Sequence, residues 1–258
     1  MFGFIEKMFK IFAGIVIVVI LSLLGFYFAN NEALPLSSDS ETGDKVSVEM
    51  QEHLGEKAWK RTRYISWITN NKRHYIWDKK ENFAKVSWSG NEVLLDLNTK
   101  KSVVYIKGKQ VNEPGRKEKL TYLANQYFSR DRFWFSAPFE VFGFQVHRSM
   151  VLLDGQSKRS LCIQYLDNHN VRAGEAYIYI LDENNKPIAW KMWNDEFHLD
   201  GLRSDWIDWK KSSTGFWYPS AHRSEFFGYK IKTQNLLAGK RLKDIGLQED
   251  PFTKIKSK

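Results

Sequence analysis

Between residues 61 and 108 the chain runs as short segments rich in β-branched and aromatic residues, separated by polar turns: TRYISWIT, NNK, RHYIWD, KKEN, FAKVSW, SGN, EVLLDL, NTKK and SVVYIKG. Asn, Gly and Lys in the breaks at this spacing predict consecutive antiparallel hairpins, a β-meander. Strands resume in VHRSMVLLDG, RSLCIQYLD, EAYIYILDENNKPIAWKMWND, LRSDWIDWKK, GFWYPSAHRSEF and YKIKTQNLLAG. In the third of these the polar DENNKP separates two strands, the clearest hairpin in the chain. The two meanders predict one large antiparallel sheet. Ten Trp and 15% aromatic residues lean the same way, because bulky flat side chains suit a pleated surface. Trp67, Trp77 and Trp88 each stand near the end of a successive strand, a spacing that makes them neighbours across the sheet.

Two helices interrupt the strands. DKVSVEMQEHLGEKAWKRT reads as a helix capped by Asp44, and EPGRKEKLTYLANQYFSRD places Leu120, Leu123, Ala124 and Tyr127 on one apolar face. The stretch that follows, DRFWFSAPFEVF, reads as an extended segment entering the second meander, with Pro138 at a bend or edge. Strand alternation sends Phe133, Phe135 and Ala137 to one face and Trp134 and Ser136 to the other.

Ahead of the strands, no charge occurs from Ile11 to Asn31. At a rise of ~1.5 Å per residue, about 20 residues span a hydrocarbon layer of roughly 30 Å. Tyr27 two places before Ala29 makes a poor cleavage site for a signal peptide, and no cysteine follows that would carry a lipid, so the segment reads as an uncleaved anchor. Lys7 and Lys10 precede it, whereas Glu32, Asp39, Glu41 and Asp44 follow it. Positive charge stays on the cytoplasmic side, which places the C-terminal part outside, in the periplasm of a bacterium. No Asn stands in an N-x-S/T sequence, which argues against a glycosylating lumen. The organisation expected is a cytoplasmic tail (1–10), a transmembrane anchor (11–29), a linker (30–44), one folded domain (45–245) and a basic C-terminal tail (246–258).

No catalytic motif is present. The chain has no G-x-S-x-G, no H-E-x-x-H and no Gly-rich phosphate loop, and its six histidines show no metal-ligand spacing, so neither enzyme activity nor a cofactor is expected. Cys162 lies alone in a strand-like run and suits a small buried apolar role. Asp205 and Asp208 are three apart on a strand and point to opposite faces, which argues against paired catalytic carboxylates. The net charge of +9 suits an anionic partner or serves solubility alone. Nucleic acid is set aside because the domain lies outside the cytoplasm, leaving anionic lipid headgroups or acidic polymers.

The order HYIWD, VSWSGNEVLLDL, VVYIKG, a helix, DRFWFSAPFEVF, SLCIQYLD, AYIYILDENNKPIAWKMW and GFWYPSAHRSEF, over about residues 50 to 240, resembles a group of bacterial envelope proteins with a LolA-like, lipoprotein-carrier-like fold. Asp131, Phe133, Trp134 and Pro138, and later Gly215, Trp217 and Pro219, match its recurring positions. The resemblance implies a mainly β (α+β) fold: a curved antiparallel sheet forming an unclosed half-barrel around two or three short helices, with an apolar hollow that receives acyl chains. The expected hollow lining is Trp67, Trp77, Trp88, Phe133, Trp134, Phe135, Phe139, Trp190 and Trp193. The expected function is non-catalytic binding of lipid or lipoprotein acyl chains beside the inner membrane. The alternatives are a scaffold for another envelope protein, and a carbohydrate-binding or hydrolase domain.

Overall fold

The computed structural model describes residues 2–36, 39–143, 145–153, 159–166, 174–194, 200–225 and 228–256. Helix α1 (Phe2–Asn30) contains an apolar span, Glu6–Asn30, long enough to cross a membrane, with none of its most apolar window buried against the rest of the chain. Helix α2 (Ser40–His53) starts four residues before the expected Asp44, because Asp39 caps it: its carboxylate accepts the Thr42 N–H at 2.9 Å. The single helix expected here is two. Gly55 at φ 85° turns the chain between α2 and α3 (Glu56–Arg61), a conformation costly for any residue with a Cβ.

The first meander comprises β1 (Tyr64–Thr69), β2 (Arg73–Asp78), β3 (Phe83–Trp88), β4 (Asn91–Asp96), β5 (Ser102–Ile106) and the two-residue β6 (Lys109–Gln110). Helix α4 (Pro114–Ser136) then leads through a 3₁₀ turn, Ala137–Phe139, to the second meander. That meander is β7 (Val146–Leu152), β8 (Arg159–Tyr165), β9 (Ala176–Leu181), β10 (Pro187–Trp193), β11 (Leu202–Lys211), β12 (Trp217–Ser224) and β13 (Lys230–Gly239). A 3₁₀ turn, Leu242–Ile245, and α5 (Thr253–Lys256) end the described chain.

All thirteen strands form one antiparallel sheet in the order β6-β5-β4-β3-β2-β1-β13-β12-β11-β10-β9-β8-β7. Its edges, β6 and β7, do not pair, so the sheet is unclosed. Laid flat at ~4.8 Å per strand it would be roughly 58 Å wide, too wide for one shared core. Yet Val104 of β5 and Leu161 of β8 belong to a single buried cluster with α4, so the sheet wraps around it. A large curved, open antiparallel sheet with a few helices is therefore the fold, as expected.

Two local expectations change. DRFWFSAPF is not extended: α4 runs on through Ser136, and Ala137 to Phe139 form a 3₁₀ turn. Ala124, Phe128, Asp131 and Phe135 are buried at spacings of four, three and four, the period of one helical face. Pro138 marks the end of the helix instead of a strand bend. None of the three tryptophans lies directly opposite another: Trp67 faces Tyr75 with Trp77 on the diagonal, Trp77 faces Ile65 and Ala84, and Trp88 faces Arg73.

The convex face carries two apolar patches, each covered by an end of the folded part. Leu34 packs on Val151, Cys162, Ile178 and Trp193. Phe252 and Ile255 pack on Leu94 and Val103, so residues 246–258, read as a basic tail, contain a packed apolar anchor. Helix α2 lies so close to β7 that a Cβ on Gly43 would fall 2.6 Å from Ser149 Cα. Gly43→Ala is expected to destabilise the chain by about 1–3 kcal/mol, read by chemical denaturation in detergent.

Candidate functional site: the concave aromatic face

The concave face is built from side chains that alternate inward along the strands and meet the buried stripe of α4. Trp67 stacks on Tyr75 at 4.6 Å and meets Phe135 edge-on at 5.0 Å. Trp77 meets Phe128 edge-on at 5.8 Å, and Trp88 meets Tyr127 at 5.5 Å. Phe133 lies 4.7 Å from Tyr177, Trp134 stacks on Trp190 at 5.3 Å, and Phe139 stacks on Trp59 at 4.6 Å. Eight of the nine expected lining residues thus share one cluster, in which they pack against one another and against α4. Trp193 does not join them. It is three residues from Trp190 on β10, faces the convex side, and donates its Nε1 hydrogen to the Glu32 carbonyl at 2.8 Å.

Sequence reasoning missed several residues of this face. Trp206 and Trp209 are three apart on β11, yet both pack on it, because Asp208 between them has φ 56° and resets the alternation. Asp205 and Asp208 are each tied to a separate base, Arg203 at 3.1 Å and Lys230 at 2.6 Å. His222 of β12 lies 5.0 Å from the Trp134 ring and is 1% exposed. The carbonyl of Trp134 accepts from Trp206 Nε1 at 3.0 Å, and neither ring nitrogen of His222 has a hydrogen-bond partner. Burial pushes the imidazole down to about 3, the Trp134 backbone pulling the other way. The indole N–H groups of Trp67, Trp77, Trp134, Trp190 and Trp209 are likewise buried without an acceptor.

Two charged groups tie helices to this face, Asp131 for α4 and Lys79 for α3. Asp131 of α4 is 1% exposed and accepts from Arg73 Nε and Tyr75 Oη, both at 2.7 Å, with Arg130 Nε at 3.3 Å on its other oxygen. Burial opposes the Arg73 charge, and Asp131 more than offsets this, raising its pKa; burial and the Asp131 charge also push the Tyr75 phenol up. Lys79 donates to the Trp59 carbonyl at 2.6 Å and sits 3.6 Å above the Trp59 ring. Burial brings its amine down to about 7, Glu140 working upward and Arg132 downward. An amine of that basicity is a chemical handle, but here it is bound to a main-chain carbonyl and an aromatic face, as a structural cation is. Burial also pushes the Cys162 thiol up to about 11, which keeps it protonated at neutral pH. Among the described residues no three His, Cys, Asp or Glu converge to hold a metal ion. Chemically the face offers apolar surface and hydrogen-bond donors.

No family model and no curated protein matches the chain. Among solved structures it is similar to a crystal structure from Vibrio parahaemolyticus described as an outer membrane lipoprotein-sorting protein domain. That similarity has a TM-score of 0.40 and 12% identity, and covers 81% of this chain and 98% of that one.

Asp131→Ala leaves the half-buried Arg73 without its carboxylate and the buried Tyr75 hydroxyl without its acceptor, and is expected to cost about 2–4 kcal/mol in denaturant unfolding. His222 has a folded pKa of about 3, below its unfolded value. Its neutral form therefore favours the folded state above the unfolded pKa, and that stability is lost as pH falls from about 6.5 toward 3. His222→Phe is expected to flatten stability against pH across that window, measured by denaturation at stepped pH.

Proposed function

We propose that the chain is a membrane-anchored domain, facing the periplasm, whose concave face binds lipid or the acyl part of a lipoprotein without catalysing a reaction. The supporting observation is the set of orphaned donors on that face, five indole N–H groups and the single N–H of the neutral His222 ring. An indole N–H only donates, and a buried donor without a partner costs about 1–3 kcal/mol. A core selected for stability alone leaves few of these. The ester or headgroup oxygens of a lipid are acceptors, and each buried CH₂ of its chain adds ~0.8 kcal/mol. In this reading α1 holds the domain at the inner membrane, so cargo is received or handed over there.

A second reading is a scaffold for another envelope protein. It is favoured by the packing of α4, whose Phe128, Phe133 and Phe135 occupy the concave face. Lipid extraction and mass spectrometry of the detergent-purified chain separate the two, together with displacement of an apolar fluorescent probe. The carrier reading expects co-purified lipid and a probe affinity that falls several-fold in Trp134→Phe and Trp190→Phe at unchanged unfolding midpoint. No lipid and no displaceable probe would sink it in favour of the scaffold. The intact mass reads the anchor: loss of the first thirty or so residues would show that α1 is a cleaved signal.

A further inference from the structure

We propose that the rim of the sheet farthest from α1 is a docking surface for a second, anionic lipid bilayer. This rests on the reading of α1 as an anchor. It adds to that reading where the anchor joins the folded body and what the opposite end presents.

The segment after α1 is clamped onto the connection between β10 and β11. Asn31 Oδ1 accepts the Asp200 N–H at 2.8 Å, and the Glu32 N–H donates to the Asp200 carbonyl at 3.1 Å. Lys191 pairs with the Glu32 carboxylate at 2.6 Å, and Trp193 Nε1 binds the Glu32 carbonyl. Gly201 stands against Glu32, where a Cβ would fall 2.7 Å from its side chain. From Glu6 to Ala29 the helix is exposed apart from a half-buried Ala13, so α1 runs away from the body. The anchor's own bilayer therefore lies at the end of the sheet where β10 meets β11.

Antiparallel pairing assigns each turn to one end. The anchor end holds the turns β1–β2, β3–β4, β5–β6 and β12–β13. At the opposite end Lys210 and Lys211 finish β11, Lys240 and Lys243 follow β13, and Lys57 and Arg61 lie on α3 ahead of β1, all exposed. The arc continues through Lys80 between β2 and β3, and Lys100 and Lys101 between β4 and β5. It crosses eight neighbouring strands, β11 to β5, roughly 34 Å along the rim at ~4.8 Å per strand. Most carboxylates along the arc are paired, Asp78 and Glu81 with Arg63, Asp244 with Arg241, Glu56 with Lys60 and Asp250 with Lys256, while Asp96, bonded to the turn at Asn98 and Thr99, lies in the field of Lys101 and Glu249 is exposed. The nine exposed bases outnumber the carboxylates left beside them, so the arc is net positive.

Its composition selects the partner. All but one of these bases are lysine, a hydrated point charge on a flexible stem, where a fixed carboxylate patch on a protein would favour the planar fork of arginine. Spread along a rim, they suit a laterally mobile anionic surface. Trp217, 36% exposed at the start of β12, lies among them with Lys186 and Lys211 5.8 and 5.9 Å from its ring, a side chain suited to a headgroup layer. The clamp holds this rim away from the anchoring bilayer, so the surface it meets is a bilayer in trans.

The test uses the full chain in phosphatidylcholine proteoliposomes with the domain outside, mixed with fluorescent vesicles that are neutral or contain about one third phosphatidylglycerol. Expected is capture of the anionic vesicles only, abolished at about 0.5 M salt. Substituting K210E, K211E, K240E and K243E together is expected to lower capture at least about tenfold. The matching set at the anchor end, K72E, K107E, K109E and K232E, keeps it. Equal capture of neutral vesicles, equal loss in both sets, or binding of polyglutamate without vesicle capture would overturn the proposal. Flotation of the chain with its own vesicles is read in parallel and reports the anchor separately. If it fails, direct partition of the unanchored chain onto anionic vesicles still decides whether the rim binds them.

Discussion

The pairing of β1 with β13 is the seam on which the molecule depends. Each meander is built from neighbours in sequence, but only this ladder, from Tyr64 opposite Gly239 to Thr69 opposite Thr233, makes them one sheet. It closes between residues far apart in the chain, so its entropy cost is met only after the second meander has formed. The surroundings of its end are correspondingly specific. Arg63 donates its N–H to the Gly239 carbonyl and its side chain to Asp78, while Asp244 accepts the N–H groups of Lys240 and Arg241. Gly239 is required there, since a Cβ would lie 2.3 Å from that of Asp244. Without the seam, the wall carrying Trp67 and the wall carrying Trp206 would have no common concavity.

A sheet that wraps a core on one side still has a convex side to cover, and this chain covers it with its ends. The strap around Leu34 covers strands β7 to β10, and Phe252 with Ile255 covers β2 to β5. The strap has a second mechanical effect. Because it is bonded to Asp200 and Lys191, the helix before it joins the body at one fixed place instead of through a free tether. Packing on the convex side thus sets the orientation of the concave side relative to α1.

The strands were legible because turn chemistry is local. Asn70, Asn71, Asn82, Gly90 and Lys100 take positive φ in the breaks where polar turns were read. The aromatic stretch after Asp131 was not legible, because a short run of alternating bulky residues satisfies a strand period and a helix face alike. What decides it is nonlocal: Asp131 reaches Arg73 and Tyr75 on β2 only if the helix continues past it. The left-handed Asp208, which brings Trp209 to the face of Trp206, left no mark in the sequence either, since Asp is ordinary in a strand-edge pattern. Trp193 was different. The strand period itself separates it from Trp190, and only grouping the tryptophans as one set put both on the same face.

The concave face is held by two kinds of force that respond differently to a guest. The bonds of Asp131 to Arg73 and Tyr75 are directional, charge-assisted and buried, so shifting α4 there strands a charge. Beyond Asp131, the contacts of Phe133, Trp134, Phe135 and Phe139 are mostly aromatic packing, with Gln51 on the Pro138 carbonyl and Trp206 on the Trp134 carbonyl as the polar ties. Aromatic packing is nondirectional, and in the proposed lipid-binding reading an acyl chain would replace it with contacts of the same kind. A donor left without an acceptor, as at Trp134, Trp190 and His222, loses nothing when its neighbour moves and gains when an oxygen arrives. The forces along α4 therefore change from charge-assisted bonds at its middle to aromatic packing at its end, and that end covers the orphaned donors.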